Sequence, residues 1–438
     1  MPGRLLSWPD WPEFTAAKAE HGDDLVGYKR TIAEKYGKDN IIKSWLKVCQ
    51  ELESVTDRIA EQGTSAIPEV TFEEVFDLTP EKKQALKDVG CFVVRGVFNQ
   101  EQADEWFKDL KEYVAANRAS IGGWPAETPF ILNLYYSPTQ MAARSHPNQL
   151  KLSRELNSWW HDKSGSSYSP EPLSYADGVR IRPPGVAFRG LGPHVDAGSL
   201  CRWADPTYQS VYATVFSGNP ESLDNYDLSA RQHANQAMFP GSAHSRVFRA
   251  FQGWTALTSA GLGEGSLMLY PNVKWTIAYL LLRPFFRAPE AEADVMDASK
   301  WTFDVEDPWF PGTFRDDSQL LSPTSHPHLR LQECMVGIPS MNPGDTVWWH
   351  ADISQMCHAV EVEHNGDHEA SVAYIAATPR TEENKSYIKR QLEDFLNGRP
   401  PEDFRTGPAE NTFKLHTGEA GILGGEAGRR AMGFDLIV

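Results

Sequence analysis

Cysteine is scarce in this chain of 438 residues: five thiols, at 49, 91, 201, 334 and 357, odd in number and with no Cys-x-x-Cys spacing. A disulfide framework is therefore excluded as the organising device, and a reducing, cytoplasmic setting is expected. Long apolar runs are missing too. No window approaches the roughly 18 unbroken apolar residues of a membrane span. The start, Met-Pro-Gly-Arg-Leu-Leu-Ser-Trp-Pro, is broken by prolines and lacks an apolar signal core. Basic residues are outnumbered, 42 Lys and Arg against 59 Asp and Glu, and a net charge of −17 argues against nucleic acid or an anionic membrane as partner. There is no Ser nucleophile elbow, P-loop or dinucleotide fingerprint. The glycines of the tail (418, 421, 424, 425, 428) do not follow a strand in Gly-x-Gly-x-x-Gly order. A small-molecule substrate is the partner left, with the oligomeric state open.

Aromatic residues, by contrast, are plentiful: 14 Trp, 21 Phe and 14 Tyr suit a β-barrel with an aromatic-lined cavity, or an ordinary core. Residues 1–85 read as an N-terminal helical layer packed on such a barrel, ending in a helix that Thr79 N-caps, Pro80 opens and Gly90 stops. Cys91 to Phe98 reads as a buried strand, and Asn99 with Gln102 opens an amphipathic helix through Trp106, Leu110 and Val114. Strands are expected at Gly178 to Arg182, around His194, and at Gln209 to Phe216, Phe248 to Leu257, Gly265 to Pro271, Gly344 to His350, Cys357 to Glu363 and Ser371 to Ala377. Trp275 to Leu282 is a further apolar run. Many short strands with turn signals predict a mainly β core with flanking helices, a double-stranded β-helix (jelly roll, cupin-like) barrel over residues 86–400. Insertions fall at 217–246 and 288–330. A helix from Glu382 to Leu396 closes the unit, and 401–438 form a tail.

Chemistry concentrates in Gly-Leu-Gly-Pro-His-Val-Asp-Ala-Gly-Ser, residues 190–199. On a strand, residues two apart share a face, so His194 and Asp196 can grip one metal ion from one side. The third ligand must come from elsewhere. His358 fits best, because Ala359 to Glu363 continues a strand and His364-Asn-Gly-Asp-His368 reads as its turn. His350, in a second His-x-Asp with Asp352, is the alternative. Two His and one carboxylate on one face of a metal leave the opposite positions open, the arrangement of non-haem Fe(II) oxygenases.

Taken with Arg180-Ile-Arg-Pro-Pro-Gly185, Phe251-Gln-Gly-Trp-Thr-Ala-Leu257, Gly263-Glu-Gly-Ser-Leu267 and Gly344-Asp-Thr-Val-Trp-Trp-His350, that stretch resembles the Fe(II)/2-oxoglutarate-dependent oxygenase superfamily in its phytanoyl-CoA-hydroxylase-like branch. It is most similar there to a bacterial and fungal domain-of-unknown-function family of non-haem iron dioxygenases. The resemblance covers about residues 85–400. It implies Fe(II) held by His194, Asp196 and His358, with 2-oxoglutarate and O2 as cosubstrates. The reaction implied is oxidation of a C–H bond of a small metabolite by hydroxylation, desaturation or ring closure. Spare arginines near the site favour an amino or carboxylic acid as substrate. The superfamily sets a basic residue on the last strand to bind the distal carboxylate of 2-oxoglutarate; here that strand starts Glu369-Ala-Ser-Val. Arg180 and Arg182 on the strand beside it, or Arg380 past its end, are the candidate anchors, with Arg202, Arg249, Lys274 and Arg283 behind them. Trp203, Trp254, Trp348, Trp349 and His350 are candidates to shape the substrate pocket. Two other classes stay open: a cupin-like Zn or Mn isomerase or hydrolase, and a non-catalytic ligand-binding barrel.

Overall fold

The computed structural model describes residues 3–437 except 6, 12–23, 166–167, 189, 191, 196–199, 240, 242–244, 316, 353–358 and 361–362. The chain opens with helices α1 (Leu25–Tyr36) and α2 (Lys38–Gln62). The buried side of α2, Ile41, Trp45, Val48, Leu52, Val55 and Ile59, follows the helical period and enters the main core. After β1 (Glu69–Thr71), α3 (Pro80–Val89) starts where Thr79 Oγ1 accepts the Lys82 amide and stops at Gly90, whose φ of 75° suits glycine. Strand β2 (Cys91–Arg95) leads to α4 (Gln100–Asn117), capped by Asn99 Oδ1 on the Gln102 amide at 2.8 Å. Strands β3 (Gly123–Trp124) and β4 (Ile131–Leu132), helices α5 (Pro138–Ser145) and α6 (Pro147–Ser158), and strands β5 (Ser169–Leu173), β6 (Val179–Arg182) and β7 (His194–Val195) follow.

Four short helices come next: α7 (Cys201–Ala204), α8 (Pro206–Val211), α9 (Ala213–Phe216) and α10 (Leu228–Arg231). Strands β8 (Phe251–Ala256) and β9 (Leu267–Leu269) precede α11 (Lys274–Leu282). Then come β10 (Phe286–Arg287), β11 (Thr302–Phe303), β12 (Gln319–Leu320), α12 (Leu331–Cys334), β13 (Val336–Gly337), β14 (Thr346–His350), β15 (Ala359–Val360) and β16 (Ala370–Arg380). Helices α13 (Glu382–Leu396) and α14 (Gly425–Ala431) end the chain. No helix among the described residues is long and apolar enough to cross a membrane.

Nine strands form one large mixed sheet in the order β1-β2-β14-β8-β16-β6-β4-β3, with β5 also paired to β16. Smaller sheets join β13-β9-β15 and β12-β7. Alternation along the central strands separates two cores. Cys91, Val93, Trp254, Val347, Trp349 and Val372 pack on one side with Val195 and Leu267 to Leu269 of the smaller sheets. Phe92, Val94, Phe251, Trp348, Ala373 and Ile375 pack on the other with the helical layer that includes Trp106, Leu152 and Trp159.

The expected mainly β core is corrected to a mixed α/β one, and among the described residues no sheet closes into a barrel. One expected strand and one unassigned apolar run account for part of the difference. Gln209 to Phe216 is α8 and α9, nucleated by Asp205, whose carboxylate caps the Thr207 and Tyr208 amides, with Pro206 in the first helical position. Trp275 to Leu282 is α11, apolar on nearly every side because it is buried on nearly every side; no helical period survives there to be read.

Candidate metal centre

His194 is the first residue of β7 and is 6 % exposed. The chain reaches it through Gly192, at φ 67°, where an added Cβ would lie 2.8 Å from the Trp11 ring; both the angle and the contact require glycine. The Gly192 carbonyl accepts from His194 Nδ1 at 2.7 Å. A carbonyl cannot donate, so Nδ1 carries the proton and Nε2 carries the lone pair. Metal-binding histidines are commonly oriented in this way, by a backbone oxygen that fixes one ring nitrogen. β12 supports the strand from the side, with Leu320 opposite His194 and the Leu321 amide donating to Pro193 O at 2.8 Å. Asp196 and His358, the other two expected ligands, lie outside the described residues. β15, which begins at Ala359, pairs with β9 so that Ala359 faces Met268 and Val360 faces Leu267.

Arg180 and Arg182 alternate with Ile181 on β6, opposite Val372 and Ala370 of β16. Both approach the turn that opens β9. Arg180 Nη2 donates to Gly265 O at 3.4 Å, and an added Cβ on Gly265 would lie 2.7 Å from Arg182 Nη1. Arg182 Nη2 also donates to Val186 O at 2.9 Å. Arg180 is 3 % exposed, its Nε has no hydrogen-bond partner, and no carboxylate among the described residues forms an ion pair with it. Desolvation pulls its pKa down, with partial relief from Tyr374. A buried, unpaired guanidinium costs free energy unless something anionic meets it.

The remaining candidates fall in different places. Trp254 and Trp349 lie in the core between the large sheet and the smaller ones. Trp203 is in the same core, its Nε1 donating to Leu281 O at 3.0 Å. His350 is not brought beside them. It faces the helical layer, stacked on Trp160 at 4.7 Å, and both of its nitrogens are engaged, one with Asn225 O at 2.9 Å and one with the Asp352 amide at 2.9 Å. Arg380 is engaged as well: its two terminal nitrogens grip the Asp435 carboxylate at 2.7 and 2.8 Å. Ten strand positions separate it from Ala370, roughly 30 Å at the usual rise, so Arg182 and Arg380 serve different ends of β16. Lys274 and Arg283 donate to backbone carbonyls of Glu221, Ser325 and Phe286.

Two clusters escaped the sequence reading. Asp352 accepts from Arg231 Nη1 at 2.6 Å and from the Tyr212 hydroxyl at 2.8 Å, all three buried. Residues 121 and 140 positions apart carry no local signal of this. On the surface, His161 Nε2 lies 3.0 Å from Asp224, near Asp227, in a spacing that could hold a metal ion. The Lys163 ammonium already sits there, 2.7 Å from Asp224 and 3.4 Å from Asp227. Burial opposes ionisation of Asp224, but the Lys163 ammonium, the Tyr226 amide and His161 together hold the carboxyl below its usual range.

With this geometry in hand, similarity to other proteins becomes informative. The chain is 30 % identical over 406 residues to YbiU, an uncharacterized protein of Escherichia coli K12, spanning 88 % of this chain and 90 % of the relative. The crystal structure of the GlcNAc-inducible gene 2 product of Candida albicans superposes with a TM-score of 0.84 at 26 % identity, covering 95 % of this chain and 90 % of that one. A Salmonella typhimurium LT2 protein, provisionally described as an oxidoreductase, superposes with a TM-score of 0.80 at 27 % identity, covering 96 % and 99 %. The Gig2-like family model matches residues 23–434, and the chain belongs to the Gig2-like family.

Proposed function

We propose that this protein is an Fe(II)/2-oxoglutarate-dependent oxygenase of the phytanoyl-CoA-hydroxylase-like kind, acting on a small amino or carboxylic acid. The observation that carries the reading is the way His194 is held in a buried site: its Nδ1–H donates to Gly192 O, so Nε2 is the proposed ligand atom. Asp196 and His358 are the proposed partners of that nitrogen.

Strand order supports a double-stranded β-helix around it. From β6 onward the principal strands are β6, β7, β8, β9, β13, β14, β15 and β16. In the large sheet the first, eighth, third and sixth of them are neighbours; in the smaller sheet the fifth, fourth and seventh are. That alternation is the order a jelly roll would have, and it is the ground on which His194, Asp196 and His358 are proposed as ligands of one ion.

Iron and 2-oxoglutarate, when bound, would supply the oxidising power for C–H cleavage with release of succinate and CO2. The chain's own part is orientation. Arg180, buried and with no anionic partner among the described residues, is the proposed seat for the distal carboxylate, with Arg182 beside it. Both reach Gly265, two residues before the strand position that faces Val360. Trp254 and Trp349, buried in the core between the large sheet and the smaller ones, are the proposed apolar walls.

The test is turnover. Protein with Fe(II), 2-oxoglutarate and O2 should form succinate faster with the right member of a panel of amino and carboxylic acids than without. No iron-dependent succinate under any condition, coupled or uncoupled, would overturn the proposal.

A further inference from the structure

Away from His194, α6, β5 and α14 enclose a cavity of about 440 Å³, within the usual range of small-molecule sites. Its wall is largely apolar, formed by Pro147, Leu150, Pro172, Ala427 and Ala431. Its charge is unlike that of the chain. In a protein of net charge −17, four basic side chains line it (Lys151, Arg154, Arg380 and Arg430) against two carboxylates, Glu171 and Glu426. Two of these groups are already compensated: Arg154 pairs with Glu171 at 2.8 Å, and the Lys151 ammonium lies 3.8 Å from the centre of the Phe76 ring. Arg380 and Arg430 share a single counter-ion, Asp435.

A second observation points the same way. Arg380 is 8 % exposed, and while its terminal nitrogens hold Asp435, its Nε has no partner. Behind Leu150 and Pro172, which belong to both, lies a small polar void lined by Arg144, Gln149 and Ser174. Arg144 Nε, Gln149 Oε1 and Ser174 Oγ are buried there without partners. Buried polar atoms left without partners are costly, and the guanidinium groups among them favour carboxylate and phosphate oxygens.

We propose that this cavity binds a small amphipathic organic anion, a carboxylate or phosphate monoester with a short aliphatic body. The head meets Arg380 and Arg430, and the body lies along Leu150, Pro172 and Ala431. Because α6 and α14 both line the cavity, the bound anion ties the C-terminal segment to the rest of the fold.

Calorimetric titration of the full-length protein with octanoate, hexyl phosphate, hexylamine and inorganic phosphate tests this. Octanoate and hexyl phosphate should bind; hexylamine and inorganic phosphate should bind at least about tenfold more weakly, the equivalent of one lost charged or apolar contact. Ala427 is exposed, so Ala427→Trp should fill the cavity and abolish octanoate binding without changing the unfolding midpoint. Arg430→Gln should weaken it about tenfold. His194→Ala should bind octanoate as the wild type does. Equal affinity for hexylamine, or tight binding of bare phosphate, would overturn the proposal, as would unchanged binding in Ala427→Trp or loss of binding in His194→Ala.

Discussion

The His-x-Asp stretches at 194 and 350 have different surroundings. At 194, one ring nitrogen is fixed by a carbonyl, and the residue opens β7 opposite Leu320 of β12. At 350, both ring nitrogens are bound, the ring stacks on Trp160 in the helical layer, and Asp352 is taken by Arg231 and Tyr212. The i, i+2 rule presumes that the strand goes on. β14 ends at His350, and the next two residues turn, folding the Asp352 amide back onto the imidazole. Spacing in a sequence thus nominates a metal site; what the strand does next decides whether the pair can serve.

The comparison breaks most visibly at the metal. His194→Ala should lower Fe(II) affinity by more than about a hundredfold, exceeding the loss typical of outer-shell changes, while His350→Ala leaves it within a few-fold; metal titration of both variants reads this out. Stability should show the reverse. Asp352→Ala leaves Arg231 buried and unpaired, and should cost about 3–5 kcal/mol in denaturant unfolding with iron binding retained. Replacing both, Asp352→Leu with Arg231→Met, should recover most of that loss.

A finer contrast lies between two arginines proposed from the sequence. Arg180→Gln removes a charge-assisted contact worth about 1.5–3 kcal/mol. It should raise the KM for 2-oxoglutarate about ten- to a hundredfold. Arg380→Gln should leave that KM unchanged, since its fork is spent on Asp435.

The smallest effect is one of pH. Burial, with a further push from Arg231, lowers the His350 pKa from 6.5 to about 3, although Asp352 opposes the shift. The folded state therefore keeps this ring neutral where the unfolded chain would protonate it. The stabilisation is present above about 6.5 and is lost as pH falls toward 3, about 1 kcal/mol of it between pH 6.5 and 5.5. The difference between wild type and His350→Gln in chemical unfolding at those two pH values should show it.

Local signals were legible where the physics is local. The caps at Thr79 and Asn99, the stop at Gly90, the alternation of β6 and β8 and the helix after Thr381 all stand in the structure where the sequence sets them. What escaped is long-range. α11 has no polar side to betray its period, because the fold covers it all round. The capping pair Asp205-Pro206 was readable but was outweighed by the β-like run Val211 to Phe216. At the site, the residue types at 180, 182 and 194 could be nominated. The tautomer of His194 depends on Gly192 O, and the lack of a carboxylate beside Arg180 among the described residues depends on the packing around it; only the folded chain defines either.

The most direct measurement is anaerobic visible absorption of the protein with Fe(II) and 2-oxoglutarate. Wild type and His350→Ala should develop the weak charge-transfer band of a chelated keto acid, and His194→Ala and Asp196→Ala should not. A wild type without the band, or a His194→Ala variant that keeps it, would contradict an iron held at His194.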